Sequence, residues 1–321
     1  MASRLNTEMV RTLSDANVRG KRSYEQSRRR SGMIFLAPSL IVLGFVLVYP
    51  ILQSILLSFK DVKVAEGLFG GEWAGFSNYL RMFEDPIVKV GVFNTVYFTV
   101  IEVIAVVAIS LAFALLISER KRGTGWLMVL LLVPWAIAPV ANATIWKWIY
   151  HGNFGILNTA LTQTGVLEKN VIWLGEPFLA LNMMLIADIW KAVPFITLLL
   201  IAGLKGVSPI QFKAAAIDGA GRWQVFWSIV LPQLKHTLMI VVVLQTIWAM
   251  KVFDLIFILT KGGPADGTVT MNFYAYRTTF NFGEMGYGAA IANVLFIVMF
   301  LVALGYIRLM GREPKRRGAQ K

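Results

Sequence analysis

Phe93–Ile117 reads FNTVYFTVIEVIAVVAISLAFALLI, twenty-five residues with a single charge, Glu102. A helix of about 20 apolar residues crosses a hydrocarbon core of roughly 30 Å. The run is apolar on nearly every face, which excludes an amphipathic helix lying on a surface. Five more stretches have the same character: 33–59, 126–150, 178–204, 237–259 and 287–309. Together the six predict an all-α, polytopic membrane bundle. Pro38, Pro50, Pro134, Pro139 and Pro194 fall inside these stretches. Membrane helices tolerate proline where neighbouring groups answer the freed carbonyls. The first stretch follows a charged leader of 32 residues, is too long for a signal-peptide core and has no small-residue cleavage site after it, so the chain is expected to keep it.

Composition agrees. Of 321 residues, 57% are hydrophobic and only 15% charged, against roughly 25% charged in soluble domains. Cysteine is absent and only His151 and His236 represent histidine, which excludes disulfides, thiolate chemistry and histidine-rich metal centres. The net charge of +13 suggests either nucleic acid or a membrane surface. Position decides between them. With six spans, 21 basic residues fall on the side of the two termini and nine on the other, while the acids run six against ten. The positive-inside rule therefore places both termini of this multi-pass membrane protein in the cytoplasm. The positive charge then reads as topology and attraction to membrane lipid, with no nucleic-acid partner. The expected organisation is a basic tail 1–32, a membrane domain 33–310 and a basic tail 311–321. The outer connections 60–92, 151–177 and 260–286 are long enough to be structured. Inverted halves, a mark of many secondary carriers, are not visible.

The loop 205–232 is more than a connector. Ser208-Pro209-Ile210-Gln211 reads as a capping box with proline at the first helical position. A short helix should follow through Lys213 and Ala214–Ala216, to be broken at Asp218-Gly219. A second short helix, Arg222 to Val230, presents Phe226, Ile229 and Val230 on one face. Pro232 then begins the next span. This knob is partly apolar, and the pattern leaves two readings open: docking to a protein partner, or a pair of helices resting on lipid.

Lys213-Ala214-Ala215-Ala216-Ile217-Asp218-Gly219-Ala220, followed by Phe226, Ile229, Leu231 and Pro232, resembles the E-A-A-x-x-D-G-A…F…I-x-L-P loop of ATP-binding-cassette importer permeases. Further pieces are similar to the carbohydrate branch of that family, the maltose and glycerol-phosphate type. They are Ala37-Pro38, Asn78-Tyr79, Asn94-Thr95, Pro134-Trp135, Trp146-Lys147-Trp148, Phe154-Gly155 with Asn158, Trp190-Lys191 with Pro194-Phe195, Leu259-Thr260 with Gly262-Gly263-Pro264, and Met285-Gly286-Tyr287. The resemblance covers 33–310. It implies that Lys213, Ala214, Ala215, Asp218, Gly219, Ala220 and Phe226 belong to a coupling loop seated in a cytoplasmic ATPase. It also implies a second, related permease, two copies of the ATPase and an extracytoplasmic solute-binding protein. ATP and magnesium would belong to the ATPase, and this chain would be no enzyme and carry no cofactor. In agreement, the sequence has no G-x-x-x-x-G-K-S/T phosphate loop. One departure stands out: the family's leading glutamate is Lys213 here.

Ionisable residues inside spans are costly and mark function by default. Glu102 lies in the second span, and Asp188 and Lys191 share one face of the fourth. Two readings of that pair stay open, a shielded ion pair or the lining of a polar path. Trp190 and Phe195 nearby suit a sugar ring. Glu102 either faces the same path or only a neighbouring helix. The resemblance assigns the sugar path to Trp135, Pro139, Asp188, Lys191, Ala192, Phe195, Gln245, Trp248, Ala249 and Val252. The polar ligands of the family are Ala249 and Val252 here, so Gln245 and Trp248, with Lys251 and Asp254, would compensate. The alternative function is a stand-alone ion-coupled secondary transporter using Glu102, Asp188 and Lys191 as its relay.

Overall fold

The computed structural model of the chain describes residues 33, 35–67, 70–118 and 124–311. Both basic tails, 1–32 and 312–321, and the basic cluster Arg120-Lys121-Arg122 lie outside the described residues. Two compact units divide at Leu56 and Leu57. The first contains α1 (Phe35–Ser58), which runs two residues past that division. Gly44–Val48 forms a π turn within α1, closed by the Tyr49 N–H on the carbonyl of Gly44. Pro50 accounts for it, because it offers no N–H to the carbonyl of Val46 and the ladder shifts by one residue.

The second unit opens with the short antiparallel pair β1 (Lys60–Asp61) and β2 (Glu72–Trp73). It continues through α2 (Ser77–Glu84), α3 (Pro86–Ser118), α4 (Thr124–Ala136), α5 (Pro139–Ile149), α6 (Ile156–Gln163) and α7 (Pro177–Lys205). The remainder is α8 (Pro209–Ile217), α9 (Arg222–Val225), α10 (Leu231–Met250), α11 (Asp254–Leu259), α12 (Met271–Tyr276) and α13 (Met285–Gly311). Among the described residues five helices are long and apolar enough to cross a membrane, and six if one bent pair counts as a single span.

Two expected elements take a different form. The stretch 126–150 is α4 and α5, bent against each other by 89°. Ala138 is extended (φ −57, ψ 143), as expected of a residue that precedes proline, here Pro139. The fifth span does not begin afresh at 237 after a separate short helix. The chain is helical from Arg222, passes through a π turn at Phe226–Val230 and continues as α10. Pro232 explains that turn as Pro50 explains the first. The same span is interrupted at Lys251–Phe253 before α11.

Helices α3, α7 and α10 pack together and bury side chains at two levels. The first level gathers Phe98, Leu181, Met184, Leu185, Ile256, Phe273 and Ile291. The second gathers Val106, Ala114, Ile196, Leu200 and Val241. Between these levels lie Glu102 on α3, Asp188 and Lys191 on α7 and Gln245 on α10.

At the end of the unit remote from loop 205–232, polar side chains tie loops to helices. Asn94 donates to the carbonyls of Gly267 and Val269, both at 2.9 Å. Thr95 accepts from the N–H of Met271 at 2.9 Å. Asn78 donates to the carbonyls of Ser58 (3.0 Å) and Lys60 (2.9 Å). Gly286 is required by close approach, since a Cβ there would lie 2.0 Å from the carbonyl oxygen of Lys60. Asp85 accepts from the hydroxyls of Tyr274 (2.6 Å) and Tyr287 (2.8 Å) and from the N–H of Ile87 (2.8 Å). Arg81 sits 4.1 Å from the centre of the Tyr287 ring and pairs with Glu284 at 2.7 Å.

Burial pushes the Asp85 carboxyl up, but the two tyrosine hydroxyls and the N–H groups of Ile87 and Val88 outweigh it and leave it below its ordinary value. A depressed carboxyl stabilises the fold at any pH above its unfolded pKa, about 3.9, and loses that contribution as pH falls through the lower folded value. Asp85→Asn should therefore lower the unfolding midpoint in detergent at pH 7 by the equivalent of about 1–3 kcal/mol. It should also flatten the fall in stability that the parent shows below about pH 4, and melting curves across pH 3–8 check both.

Candidate functional site

A cavity of about 380 Å³ opens at the level between the two apolar clusters. Helix α3 contributes Glu102, α7 contributes Asp188, Lys191 and Ala192, and α10 contributes Gln245 and Trp248. The kinked pair adds Trp135, Pro139 and Asn142, and the break after α10 adds Lys251, Val252, Phe253, Asp254 and Leu255. The two breaks, one before Pro139 and one at Lys251–Phe253, thus bring non-helical backbone to the polar level, where it lines a cavity rather than lipid.

The deepest side chains are Glu102, Gln245 and Asn142, each 1% exposed. Gln245 donates its side-chain N–H to Oε1 of Glu102. Oε2 of Glu102, Oε1 of Gln245 and Oδ1 of Asn142 have no hydrogen-bond partner. Asp188 is half-buried and interacts electrostatically with Lys191, Asp254 and Glu102. Nearer the opening, Trp135 stacks on Phe195 with ring centres 4.8 Å apart, and Phe195 lies 5.6 Å from Trp248. The cavity therefore joins an aromatic wall to a floor of polar side chains, a combination suited to a solute with apolar ring faces and hydroxyls.

Loop 205–232 lies at the other end of α7. Ser208 caps α8 by accepting from the N–H of Ile210 at 3.4 Å. The Gln211 side chain does not complete the expected capping box; its oxygen accepts from Gln233 on α10. Helix α8 ends with Gly219 in the left-handed region (φ +73). The N–H of Ala220 bonds the carbonyl of Ala215 at 2.9 Å and that of Gly219 bonds Ala216 at 3.3 Å. These two bonds form the Schellman arrangement that glycine favours. Phe226 and Val230 turn inward and, with Phe212 and Trp223, line a second cavity of about 830 Å³ against α3, α4 and α7. The large apolar side chains of the loop that are exposed are Ile210 (75%), Phe212 (38%), Ile217 (87%), Trp223 (74%) and Trp227 (51%).

Residues 13–313 match the family described as binding-protein-dependent transport system inner membrane component. The chain belongs to that family. It is 34% identical over 297 residues to the trehalose/maltose transport system permease protein MalF of Thermococcus litoralis, covering 92% of this chain and 98% of the relative. It is 33% identical over 303 residues to the sulfoquinovosyl glycerol transport system permease protein SmoG of Agrobacterium fabrum, covering 94% and 97%. Its fold is similar to a chain in the crystal structure of a bacterial ABC transporter that imports the acidic polysaccharide alginate, with a TM-score of 0.78 and 20% identity over 89% of this chain and 98% of that one.

Within this permease, eight of the ten residues expected on the path line the cavity: Trp135, Pro139, Asp188, Lys191, Ala192, Gln245, Trp248 and Val252. Phe195 stands behind Trp135, and Ala249 is 1% exposed within the helix packing, off the cavity wall. Trp190 packs edge-on against Trp146 at 5.8 Å and lies outside the lining. Glu102 belongs to the cavity floor rather than to a neighbouring helix alone. Asn142 escaped the sequence reading altogether; its only signal is a polar residue one turn beyond Pro139. In the loop, Lys213, Ala214, Asp218 and Gly219 are exposed, Ala220 and Phe226 are half-buried and Ala215 is buried.

Two outcomes follow from this geometry. Nothing lies within 4 Å of a Cβ built on Gly219, so its replacement carries a conformational cost and no steric one. Gly219→Asn should remain close to the parent, while Gly219→Leu should destabilise the loop by about 1–2 kcal/mol; limited proteolysis within 205–232 measures both. Gln245→Leu deprives the buried Glu102 carboxyl of its one hydrogen-bond donor. It should cost about 1–3 kcal/mol, and Glu102→Gln in the same chain should recover part of that in thermal unfolding.

Proposed function

We propose that this permease conducts a sugar or sugar derivative through the cavity lined by Glu102, Asp188, Lys191, Gln245 and Trp248, as one of two related permease subunits. The observation that carries the reading is the polar cavity itself, held between two apolar layers where α3, α7 and α10 pack together. Relatives named for trehalose and maltose, sulfoquinovosyl glycerol and lactose support a carbohydrate solute. The family's description supports a solute-binding protein as the donor.

In this reading the loop 205–232 is the seat of a cytoplasmic ATPase, present in two copies. Ile210, Ile217, Trp223 and Trp227 would meet its apolar surface. ATP and magnesium would be held by that partner, so this subunit would take no part in the hydrolysis. Lys213 stands where the family has glutamate, so an ion pair at that position would have to be made with an acidic group of the ATPase. The membrane would be the bacterial inner membrane, with both termini cytoplasmic. Membership of a binding-protein-dependent family weighs against a stand-alone ion-coupled carrier, which has no use for a docking loop.

Asp188 and Lys191 separate a path role from a structural one. If they act in the path, Lys191→Ala should cut solute uptake by proteoliposomes while the complex still assembles, and the double change to alanine should assemble and remain inactive. If they are only an ion pair, either single change leaves an uncompensated buried charge, costing several kcal/mol. Assembly should then fall together with uptake, and the double variant should restore both. Restoration of transport would refute the path role.

A further inference from the structure

The second cavity, of about 830 Å³, shares no lining residue with the cavity at the polar level. One side of it is loop 205–232, through Phe212, Phe226 and Val230. The other is the loop-side ends of the spans, through Ile117 on α3, Met128 on α4 and Ile201 on α7. Ile117, Ile201 and Val230 are buried and make an apolar wall, whereas Lys205 and Arg222 are exposed. Among the described residues these two cations and Ser118 are the only polar members of the lining, and neither cation makes an ion pair there. Lys205 ends α7 and Ser118 ends α3, so the charged edge stands where two spans leave the membrane.

We propose that this cavity binds an anionic phospholipid of the cytoplasmic leaflet, with one acyl chain against the apolar wall and the phosphate on Lys205 and Arg222. Apolar space gains little from water, and the apolar molecule at hand at this depth is lipid. Basic pockets between spans at the cytoplasmic surface attract anionic headgroups. A guanidinium meets phosphate with paired N–H groups and an ammonium meets it as a point charge. A zwitterionic headgroup carries its own cation and gains less. The chain's own tails are poor occupants, because 1–32 and 312–321 are predominantly basic and share the sign of Lys205 and Arg222. A seated lipid touches the loop on one side and the span ends on the other, which makes it part of the mounting of the loop. The proposal is independent of the solute path and rests only on the loop lying at the cytoplasmic face.

The test uses the chain assembled with its partner subunits in nanodiscs of phosphatidylcholine and phosphatidylglycerol. Each lipid in turn carries a photoreactive diazirine at mid-chain, and mass spectrometry locates the labelled residues. Leu36 and Leu40, exposed on α1 in the same leaflet, report ordinary boundary lipid. The expected result is labelling of Ile117, Met128 and Val230 by phosphatidylglycerol about tenfold above phosphatidylcholine, with no such excess at Leu36 and Leu40. In the double variant Lys205→Gln, Arg222→Gln the excess should fall to the α1 level. Should that variant fail to assemble, about 1 M salt should shrink the excess several-fold in the parent complex. Equal labelling of the wall by the two lipids would overturn the headgroup selection, and no labelling by either would overturn the site. An undiminished excess in the assembled variant would remove Lys205 and Arg222 from it. The orientation is checked separately with Ile217→Cys, the single thiol of a chain that has no cysteine. Its reaction with an impermeant maleimide added outside spheroplasts would overturn the cytoplasmic placement of the loop, and this proposal with it.

Discussion

Hydrocarbon offers no water to a polar group, so each one carried into it must be met by another part of the chain. That constraint organises the second unit. Glu102, Gln245, Asp188 and Lys191 sit at one level of three packed helices, between two apolar layers, with Glu102 met by Gln245 and Asp188 by Lys191. The Ser110 hydroxyl of α3 reaches the carbonyl of Val193 on α7 at 3.0 Å. The breaks at Ile137–Ala138 and Lys251–Phe253 fall beside the cavity, where freed backbone groups have polar neighbours. Polarity is confined to the places where the packing can answer it.

The helices were legible because the signal for a membrane helix is long and redundant. Phe93–Ile117 tolerates an error of several residues at either end without changing the reading. The 89° bend between α4 and α5 was less so. Pro134 and Pro139 marked a weak point, but a proline is compatible with a kink, a break or a straight helix, and the surrounding packing chooses among them. The facing of α9 and the turn after it was misread for a related reason. Phe226, Ile229 and Val230 share a helical face, and an apolar face alone does not say whether it looks toward the bundle or away from it. Here Phe226 and Val230 line a cavity against α3, α4 and α7 together with Trp223, and Trp227 is exposed. Asn142 was invisible because one amide in an apolar helix has no pattern around it.

Several family-like pieces prove to be scaffold. Asn78, Asn94 and Gly286 hold loops to helix ends, and Asn158 fastens the α6 region by accepting from Trp173 (3.0 Å) and donating to the carbonyls of Gly152 (2.8 Å) and Val171 (2.9 Å). Each is a short amide or a side-chain-free position where backbone from a distant segment has to be approached closely. The cavity lining is more mixed, and Trp135 and Lys191 within it also belong to family-like pieces. Sequence likeness in this chain therefore reports in part on how loops are held to helices.

The run from Arg222 to Met250 has a mechanical meaning. A loop would absorb a push by bending, whereas a hydrogen-bonded helix carries it along its axis. From Arg222 to Gln245 the backbone is helical throughout, about 35 Å at 1.5 Å per residue. Its one softer joint is the π turn at Phe226–Val230, close to the loop and far from the cavity. The stretch beyond it is a stiff lever: whatever tilts its lower end must swing Gln245 and Trp248 as one piece, and with them the floor and the aromatic wall of the cavity.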